Sequence, residues 1–142
     1  MTFSEIRTLM EQDSIIDPSN LDAASLLIPF LHSKWYNIFI TELKILRGID
    51  IEYNAQLKAK TDYYLGKASD EIYEQKPLHM KILKQDVDLY LKADSELVDI
   101  ETKKQFQKIK VETIESFIKN INNRGFMIKN AIDFRKFVNG IN

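Results

Sequence analysis

Turn-forming residues are scarce in this chain, which has only four glycines and three prolines among its 142 residues. A small β protein needs a turn after almost every strand, and glycine and proline are the residues that most often form one. Because the chain can form few such turns, its regular elements must be few and long. The chain is therefore expected to be an all-α protein built from long amphipathic helices.

The composition fits a single soluble domain of the cell interior. Hydrophobic residues make up 44% and charged residues 29% of the chain, which is ordinary for a globular protein. There is no cysteine, which excludes disulfides, thiolate metal sites and a cysteine nucleophile and is typical of a reducing cytoplasm. No stretch approaches the roughly 18 apolar residues that a membrane span requires. No membrane association is therefore expected.

A long amphipathic helix is predicted in the N-terminal half. Pro18, in the run DPSNLD, is typical of a helix start. Apolar residues then recur every three or four positions, the spacing of one helix face, and Glu42 interrupts them once. Pro29 and Gly48 predict a kink or break, and Gly66 predicts the end of the helix. The apolar positions are Leu21, Ala24, Ile28, Leu31, Trp35, Ile38, Ile45 and Ile49.

The remaining chain divides into a connector and a C-terminal helical region. Residues 69–93 mix helical and alternating patterns and are expected to be an irregular connector between residues 1–68 and residues 94–142. Asp94 or Ser95 is expected to cap a second long helix. The run NNRG, residues 122–125, predicts a corner before a terminal amphipathic helix. The apolar positions of that last helix are Met127, Ala131, Phe134, Val138 and Ile141.

Both C-terminal helices carry more apolar surface than one core requires. The first has a heptad row that includes two polar positions, Lys104 and Gln107. Each helix also has a second apolar row. We therefore expect one row to pack inside the chain and another to face neighbouring subunits of a helical oligomer. The heptad positions expected at the oligomer interface are Val111, Ile114, Ile118 and Ile121.

Charge alternates along the chain although the net charge is only −1. Residues 34–67 contain six bases and four acids, and residues 102–142 contain nine bases and three acids. The segments 1–33 and 70–101 are correspondingly acidic. A nearly neutral chain attracts a polyanion weakly, but basic segments gathered on one face and repeated in an oligomer would attract it strongly. Nucleic acid is therefore a permitted partner.

The run LKAKTDYYLGK, residues 57–67, is the most suggestive short segment. Lysines next to tyrosines can bind phosphates while an aromatic ring stacks on an unpaired base. The alternative, which the motif alone favours, is that the lysines are solvated and the tyrosines pack on a neighbouring element. The candidate DNA-binding residues are Lys58, Lys60, Tyr63, Tyr64 and Lys67.

No constellation for catalysis or metal binding is present in the sequence. His32 and His79 are the only histidines and have no further ligand at metal spacing. Gly66 and Lys67 lack the earlier glycine of a phosphate loop, and Ala68 stands where a magnesium-binding hydroxyl belongs. No metal site, cofactor or catalytic residue is expected.

Several stretches resemble the UvsY family of bacteriophage recombination mediators. The most specific is NINNRGFMIKNAIDFRKFVNG, residues 120–140, and the segment at residues 57–67 is similar to the family's LKARxDYY motif. Shorter similarities at residues 33–37 and 78–98 extend the resemblance in colinear order over roughly residues 17–140.

The resemblance implies a function without chemistry of its own. Such a protein would bind single-stranded DNA, associate with the phage single-strand-binding protein, and help a UvsX-type recombinase to form a filament in its place, in the cytoplasm of the infected bacterium. The motif's DNA-contacting Lys and Arg fall on Lys58 and Lys60. Lysine at position 60 keeps the charge but loses the planar fork of arginine.

The resemblance also implies assembly into a ring of six or seven subunits. The C-terminal motif is associated with this assembly, which adds Met127, Ala131, Phe134 and Val138 to the expected interface. A ring would multiply a modest basic patch along one DNA strand. The acidic segment 86–101 would face away from DNA, toward a protein partner. The competing hypothesis is a structural coiled-coil adaptor that binds only protein.

Overall fold

The chain is described here by a computed structural model covering residues 1–140, all of whose regular elements are helical. The all-α prediction is therefore confirmed for these residues, whereas Ile141 lies outside them. Within the described residues, no helix is long and apolar enough to cross a membrane. A 3-10 turn at Lys84–Asp86 precedes the fifth α-helix. The α-helices are α1 (Phe3–Asp13), α2 (Leu21–Leu26), α3 (Ile28–Tyr64), α4 (Asp70–Gln75), α5 (Val87–Ala93), α6 (Ser95–Asn122) and α7 (Arg124–Val138).

The predicted break in the N-terminal helix lies at Leu27, between α2 and α3. Pro29 falls in the first turn of α3, where backbone N–H groups have no acceptor within the helix. The N–H group that proline lacks therefore costs α3 no hydrogen bond. The amide of Leu31 still donates to the carbonyl of Leu27 at 3.1 Å, so the two helices follow closely on one another. Gly48, the other candidate break, lies inside the continuous helix α3.

Gly66 ends α3 as predicted. It has a φ of +78°, a left-handed conformation that glycine adopts without a steric penalty. Its amide donates to the carbonyl of Tyr63 at 3.2 Å, and the amide of Lys67 donates to the carbonyl of Asp62 at 2.8 Å. This pair of bonds is the Schellman motif, which satisfies carbonyls that the helix end would otherwise leave without a partner.

The connector contains more regular structure than predicted. Helix α4, the 3-10 turn and α5 all lie within residues 69–93, so only the stretches around them are irregular. None of the residues of α4 is buried. Helices of six or seven residues are not stable by themselves in water, so they depend on contacts with other elements and leave little periodic signal in the sequence.

The chain forms two compact units, and α3 and α6 contribute to both. The first unit contains residues 1–43 and the described residues from 109 onward; the second is Lys44–Lys108. In the first unit, the Trp35 ring meets Phe117 edge to face at 4.6 Å, and its indole N–H donates to Asp13 at 2.8 Å. The core cluster of this unit is Ile6, Leu31, Trp35, Ile114, Phe117 and Ile121.

The structure corrects the expected placement of the heptad row on α6. Val111, Ile114 and Ile121 are buried within the chain, and Ile118 packs partly buried against the same core as Ile114 and Ile121. This row is therefore occupied within a single copy. The other apolar row of α6 includes Phe106 and Ile109, which are exposed, and Phe117, which is buried in the core.

The interface positions predicted on α7 are more exposed than the heptad positions of α6. Met127, Phe134 and Val138 are exposed, and Ala131 is half-buried. Helix α7 packs against α2, within the first unit. Met127, Phe134 and Val138 are therefore not buried within one copy, and their place in an interface between subunits stays a prediction.

Candidate single-stranded-DNA interface

The segment LKAKTDYYLGK, residues 57–67, lies in the second unit and forms the last two turns of α3 and the turn that follows. Because a helix turns by about 100° per residue, Lys60 and Tyr64 share one face and Lys58 shares another with Asp62. The structure separates the predicted DNA-binding residues accordingly. Lys58 and Lys67 are exposed, whereas Lys60, Tyr63 and Tyr64 are partly buried.

Lys58 has the most accessible ammonium group of the helical part of this segment. Its side chain is 76% exposed, and Nζ lies 2.6 Å from a carboxylate oxygen of Asp62, one turn further along α3. An exposed pair of this kind contributes little stability, so a phosphate can take the place of the carboxylate at small cost. Lys67, just beyond the helix, has no ion pair with the other described residues.

Lys60 is enclosed by two acids instead. Its side chain is only 14% exposed, and Nζ lies 3.3 Å from Asp94 and 3.2 Å from Glu96. Lys76 forms an ion pair with the same Glu96. We call these four residues, Lys60, Lys76, Asp94 and Glu96, the acid–lysine network.

The network changes the expectation for the acidic segment. Asp94 and Glu96 belong to the stretch 86–101 that was expected to face away from DNA, but both contact a lysine of the candidate DNA-binding motif. Hydrogen bonds from Lys76 and Lys60, in that order, hold the pKa of Glu96 below its ordinary value. Both acids therefore remain charged at neutral pH and compete with phosphate for Lys60.

Tyr64 is tied to the same network. Its hydroxyl donates to Asp94 at 2.6 Å, and its ring lies 5.6 Å from that of Tyr90. Burial, followed by the hydrogen bond to the charged carboxylate, raises the pKa of Tyr64 above its ordinary value. The phenol is therefore a fixed donor, and the ring of Tyr64 is already in contact with Tyr63 and Tyr90.

Tyr63 packs against the connector. Its ring stacks on Tyr73 at a centroid distance of 5.4 Å, and its hydroxyl donates to the carbonyl of Lys76 at 3.0 Å. The hydroxyl of Tyr73 in turn donates to the carbonyl of Tyr63 at 2.7 Å. One aromatic face of Tyr63 is therefore already used inside the chain. Tyr63 and Tyr64 therefore both pack on neighbouring elements, as the alternative interpretation of the motif predicts.

Asp94 organises the start of α6 as well as the network. It caps the helix, as predicted, by accepting the amide of Leu97 at 3.1 Å. Burial opposes its charge, but hydrogen bonds from Tyr64, the Leu97 amide and Lys60 outweigh burial and hold the pKa of Asp94 below its ordinary value. The sequence indicated the cap but not the partners of Asp94 on α3, because contacts distant in sequence leave no local pattern.

Most of the chain, including this segment, matches a known protein family. Residues 9–141 match the family described as recombination, repair and single-stranded-DNA-binding protein UvsY. The chain belongs to the UvsY family. A curated member, the recombination protein uvsY of Enterobacteria phage T4, is 26% identical over 140 residues, which cover 99% of each chain.

Solved UvsY structures share the fold. One crystal structure of the bacteriophage T4 recombination mediator protein UvsY aligns with a TM-score of 0.85 and 25% identity over 96% of this chain and 99% of the other. A second crystal form of the same protein gives a TM-score of 0.86 and 26% identity over 96% and 97% of the two chains. The resemblance noted from the sequence is therefore confirmed at the level of family and fold.

No grouping of side chains suited to a metal ion occurs in residues 1–140. His32 stacks on Tyr36 at 6.0 Å between ring centroids. His79 lies exposed in the connector. Of the candidate DNA-binding lysines, Lys58 and Lys67 are exposed, and Lys60 is held in the acid–lysine network.

Proposed function

We propose that this UvsY-family chain is a recombination mediator. It binds single-stranded DNA and promotes loading of a UvsX-type recombinase onto DNA covered by the phage single-strand-binding protein, during phage recombination and repair in the cytoplasm of the infected bacterium. The observation that carries this proposal is the family match over residues 9–141. The protein acts by binding alone, without turnover or a cofactor.

Lys58 and Lys67 make the first contacts with DNA in this proposal. Their ammonium groups are exposed at the end of α3, where backbone phosphates can reach them. Lys60 and Tyr64 support the shape of the segment from inside, and they meet DNA only where Asp94 and Glu96 release them. Binding through phosphates tolerates any base sequence, which suits a protein that must act along a whole strand.

A homo-oligomer of six or seven subunits supplies the affinity. The chain has a net charge of −1, so one copy attracts DNA weakly. Several copies on one strand bind far more tightly than one, without any new type of contact. The exposed apolar residues of α7 are the proposed contacts between subunits.

Fluorescence polarisation of a labelled oligo-dT across a salt series tests the DNA contacts. We expect Lys58→Ala/Lys67→Ala to weaken binding and to flatten the dependence of log K on log salt by at least about 1.4, because each lost phosphate contact removes about 0.7 from the slope on a single strand. Lys81→Ala/Lys84→Ala is the control, since it removes two exposed lysines of the same unit from the connector.

Two outcomes would contradict the proposal. An oligomer that does not bind the labelled strand at all favours the protein-only adaptor. Binding that is as sensitive to Lys81→Ala/Lys84→Ala as to the variant in α3 removes the assignment of the DNA contact to this segment. Recombinase assembly on a strand covered by single-strand-binding protein, followed with and without this chain, then tests the loading step.

A further inference from the structure

A row of exposed residues continues from Lys58 toward the N-terminal end of α3 within the second unit. Six residues lie within an arc of about 100° on the helix and are all exposed. The row spans about 21 Å along the axis, since 14 residues separate its ends at about 1.5 Å each. We call it the outer row; it consists of Lys44, Arg47, Gly48, Ile51, Ala55 and Lys58.

All charged residues of the outer row are cations, with Lys44 and Arg47 at one end and Lys58 at the other. Between Lys44 and Lys58 it contains no acid. Lys44 has no ion pair with another described residue. Arg47 lies 3.2 Å from Asp50, but that carboxylate also binds Lys104 at 3.0 Å, so it only partly neutralises the arginine.

Two acids lie near the outer row without covering it. Asp62 lies one turn beyond Lys58 and forms its exposed ion pair. Glu52 is exposed about 40° outside the edge of the row, on the helical projection. Arg47 and Lys58 therefore each share an ion pair with an acid, whereas Lys44 has none among the described residues.

The middle of the outer row is open to a ligand. A Cβ atom placed on Gly48 would have no heavy atom within 4 Å, so no other part of the described chain covers this stretch. Ile51 is 55% exposed between the cations at either end, where it can contact a sugar or a base face. This surface combines flanking positive charges, which nonspecific single-strand binders use to follow the backbone, with an accessible aliphatic residue between them.

We infer that the outer row is a second stretch of the single-stranded-DNA contact surface, in which Lys44 and Arg47 bind phosphates of the same strand that meets Lys58 and Lys67. The inference rests on the proposed function and extends the contact by about four helical turns beyond the motif. Charge complementarity and direct continuity with Lys58 identify the occupant as a polyanionic strand. Because Lys44 and Arg47 would bind phosphates rather than bases, the contact would not depend on base sequence.

The test compares the full chain with Lys44→Ala/Arg47→Ala in the same polarisation and salt series. We expect the slope of log K against log salt to flatten by at least about 1.4, because every subunit that the strand crosses loses two phosphate contacts. Labelled oligo-dT and oligo-dA should be affected alike. Sedimentation and circular dichroism establish that the variant keeps its assembly and helix content.

Gly48→Asp and Gly48→Asn form a matched pair that tests the same surface without removing a lysine. Both side chains enter open space, and only the aspartate adds a negative charge. We expect the aspartate variant to bind more weakly than the asparagine variant, with a difference that disappears at high salt.

The outcomes separate this inference from the function on which it rests. If the wild type binds and Lys58→Ala/Lys67→Ala weakens binding while Lys44→Ala/Arg47→Ala and the Gly48 pair have no effect, the outer row is not a contact and the mediator proposal stands. If the wild type does not bind DNA, both are wrong. If Lys44→Ala/Arg47→Ala lost no more DNA affinity than the control Lys81→Ala/Lys84→Ala, the loss would reflect net charge alone. This result would also overturn the inference.

Discussion

Asp94 combines three roles in a single side chain. It caps α6 through the Leu97 amide, accepts the hydroxyl of Tyr64, and neutralises the mostly buried Lys60. Its removal by Asp94→Ala should lower the free energy of unfolding by about 2 to 3 kcal/mol, since a lost cap costs about 1 kcal/mol and two buried polar partners lose their acceptor. Urea unfolding at neutral pH measures this loss.

Asp94→Asn is the control, because it removes the negative charge of the side chain but keeps its hydrogen-bonding oxygen. The dependence of stability on pH then measures the contribution of the charge. Asparagine keeps the cap and accepts the phenol, so the loss should be smaller and should reflect the missing charge. The pKa of Asp94 is lower in the folded chain than its ordinary 3.8, so its charge stabilises the fold above that value. This stabilisation is lost as the pH falls through the lowered pKa. A difference between wild type and Asp94→Asn that did not shrink below pH about 4 would contradict this account.

At the scale of elements, the end of α3 and the connector are joined through Tyr73. Its hydroxyl donates to the carbonyl of Tyr63 and accepts the amide of Ala68 at 3.2 Å. Tyr73→Phe keeps the ring but removes both bonds. We expect amides of residues 67–83 to exchange hydrogen faster in the variant, with little change in the global free energy of unfolding. Equal protection in both proteins would show that the stacked rings alone hold the connector.

Tyr90→Phe serves as the control for that measurement. The Tyr90 hydroxyl donates only to the sulfur of Met80, at 3.5 Å, which is a weak bond. Its loss should leave exchange in the connector unchanged.

Two helix ends were predictable from a local residue, whereas the start predicted at Pro18 is wrong because α2 begins at Leu21. Gly66 ends α3 because it alone of its neighbours adopts a positive φ, and the break before Pro29 follows from the geometry of proline. Asp94 was recognised as a cap for the same local reason. The short helices α4 and α5 were missed because their stability comes from contacts with other elements rather than from their own periodicity.

The functions of side chains within the helices were less predictable. Spacing placed Lys60 and Lys58 in one basic motif, but only the fold shows that Lys60 faces Asp94 and Lys58 faces solvent. The heptad positions Ile114 and Ile121 have the same pattern that an interface between subunits would have. The fold buries Ile114 and Ile121 in one core with Trp35, which lies more than 75 residues away in the sequence, and Phe117 of the other row joins them.

The last helix exposes large apolar side chains, which favour association of the chain with another protein. Phe137 and Phe126 of the last helix, 78% and 72% exposed, are among the most exposed large hydrophobic residues of the described chain. Several exposed large apolar side chains on one helix favour a binding site for another protein. In the proposed ring this surface meets another copy, which would couple assembly to DNA affinity. The exposed large hydrophobics of α7 are Phe126, Met127, Phe134, Phe137 and Val138.

Phe134→Asp/Val138→Asp tests that coupling. The two side chains lie one turn apart on α7 and are 66% and 64% exposed, so the change should not disturb the core. We expect sedimentation to shift toward the 16.6 kDa monomer. Affinity for oligo-dT should fall by about a hundredfold or more although no proposed DNA contact has changed, because binding through several linked copies is lost.

Leu83→Asp/Leu89→Asp is the matched control, since it places the same two charges at exposed apolar positions of the connector. It should leave both assembly and affinity unchanged. If Phe134→Asp/Val138→Asp stayed oligomeric, the subunit contact would lie elsewhere. If it became monomeric and still bound DNA as tightly as the wild type, a single copy would supply the whole affinity. The DNA contacts on α3 would then have to be strong enough individually to overcome the near-zero net charge of the chain, which exposed lysines in water are not expected to achieve.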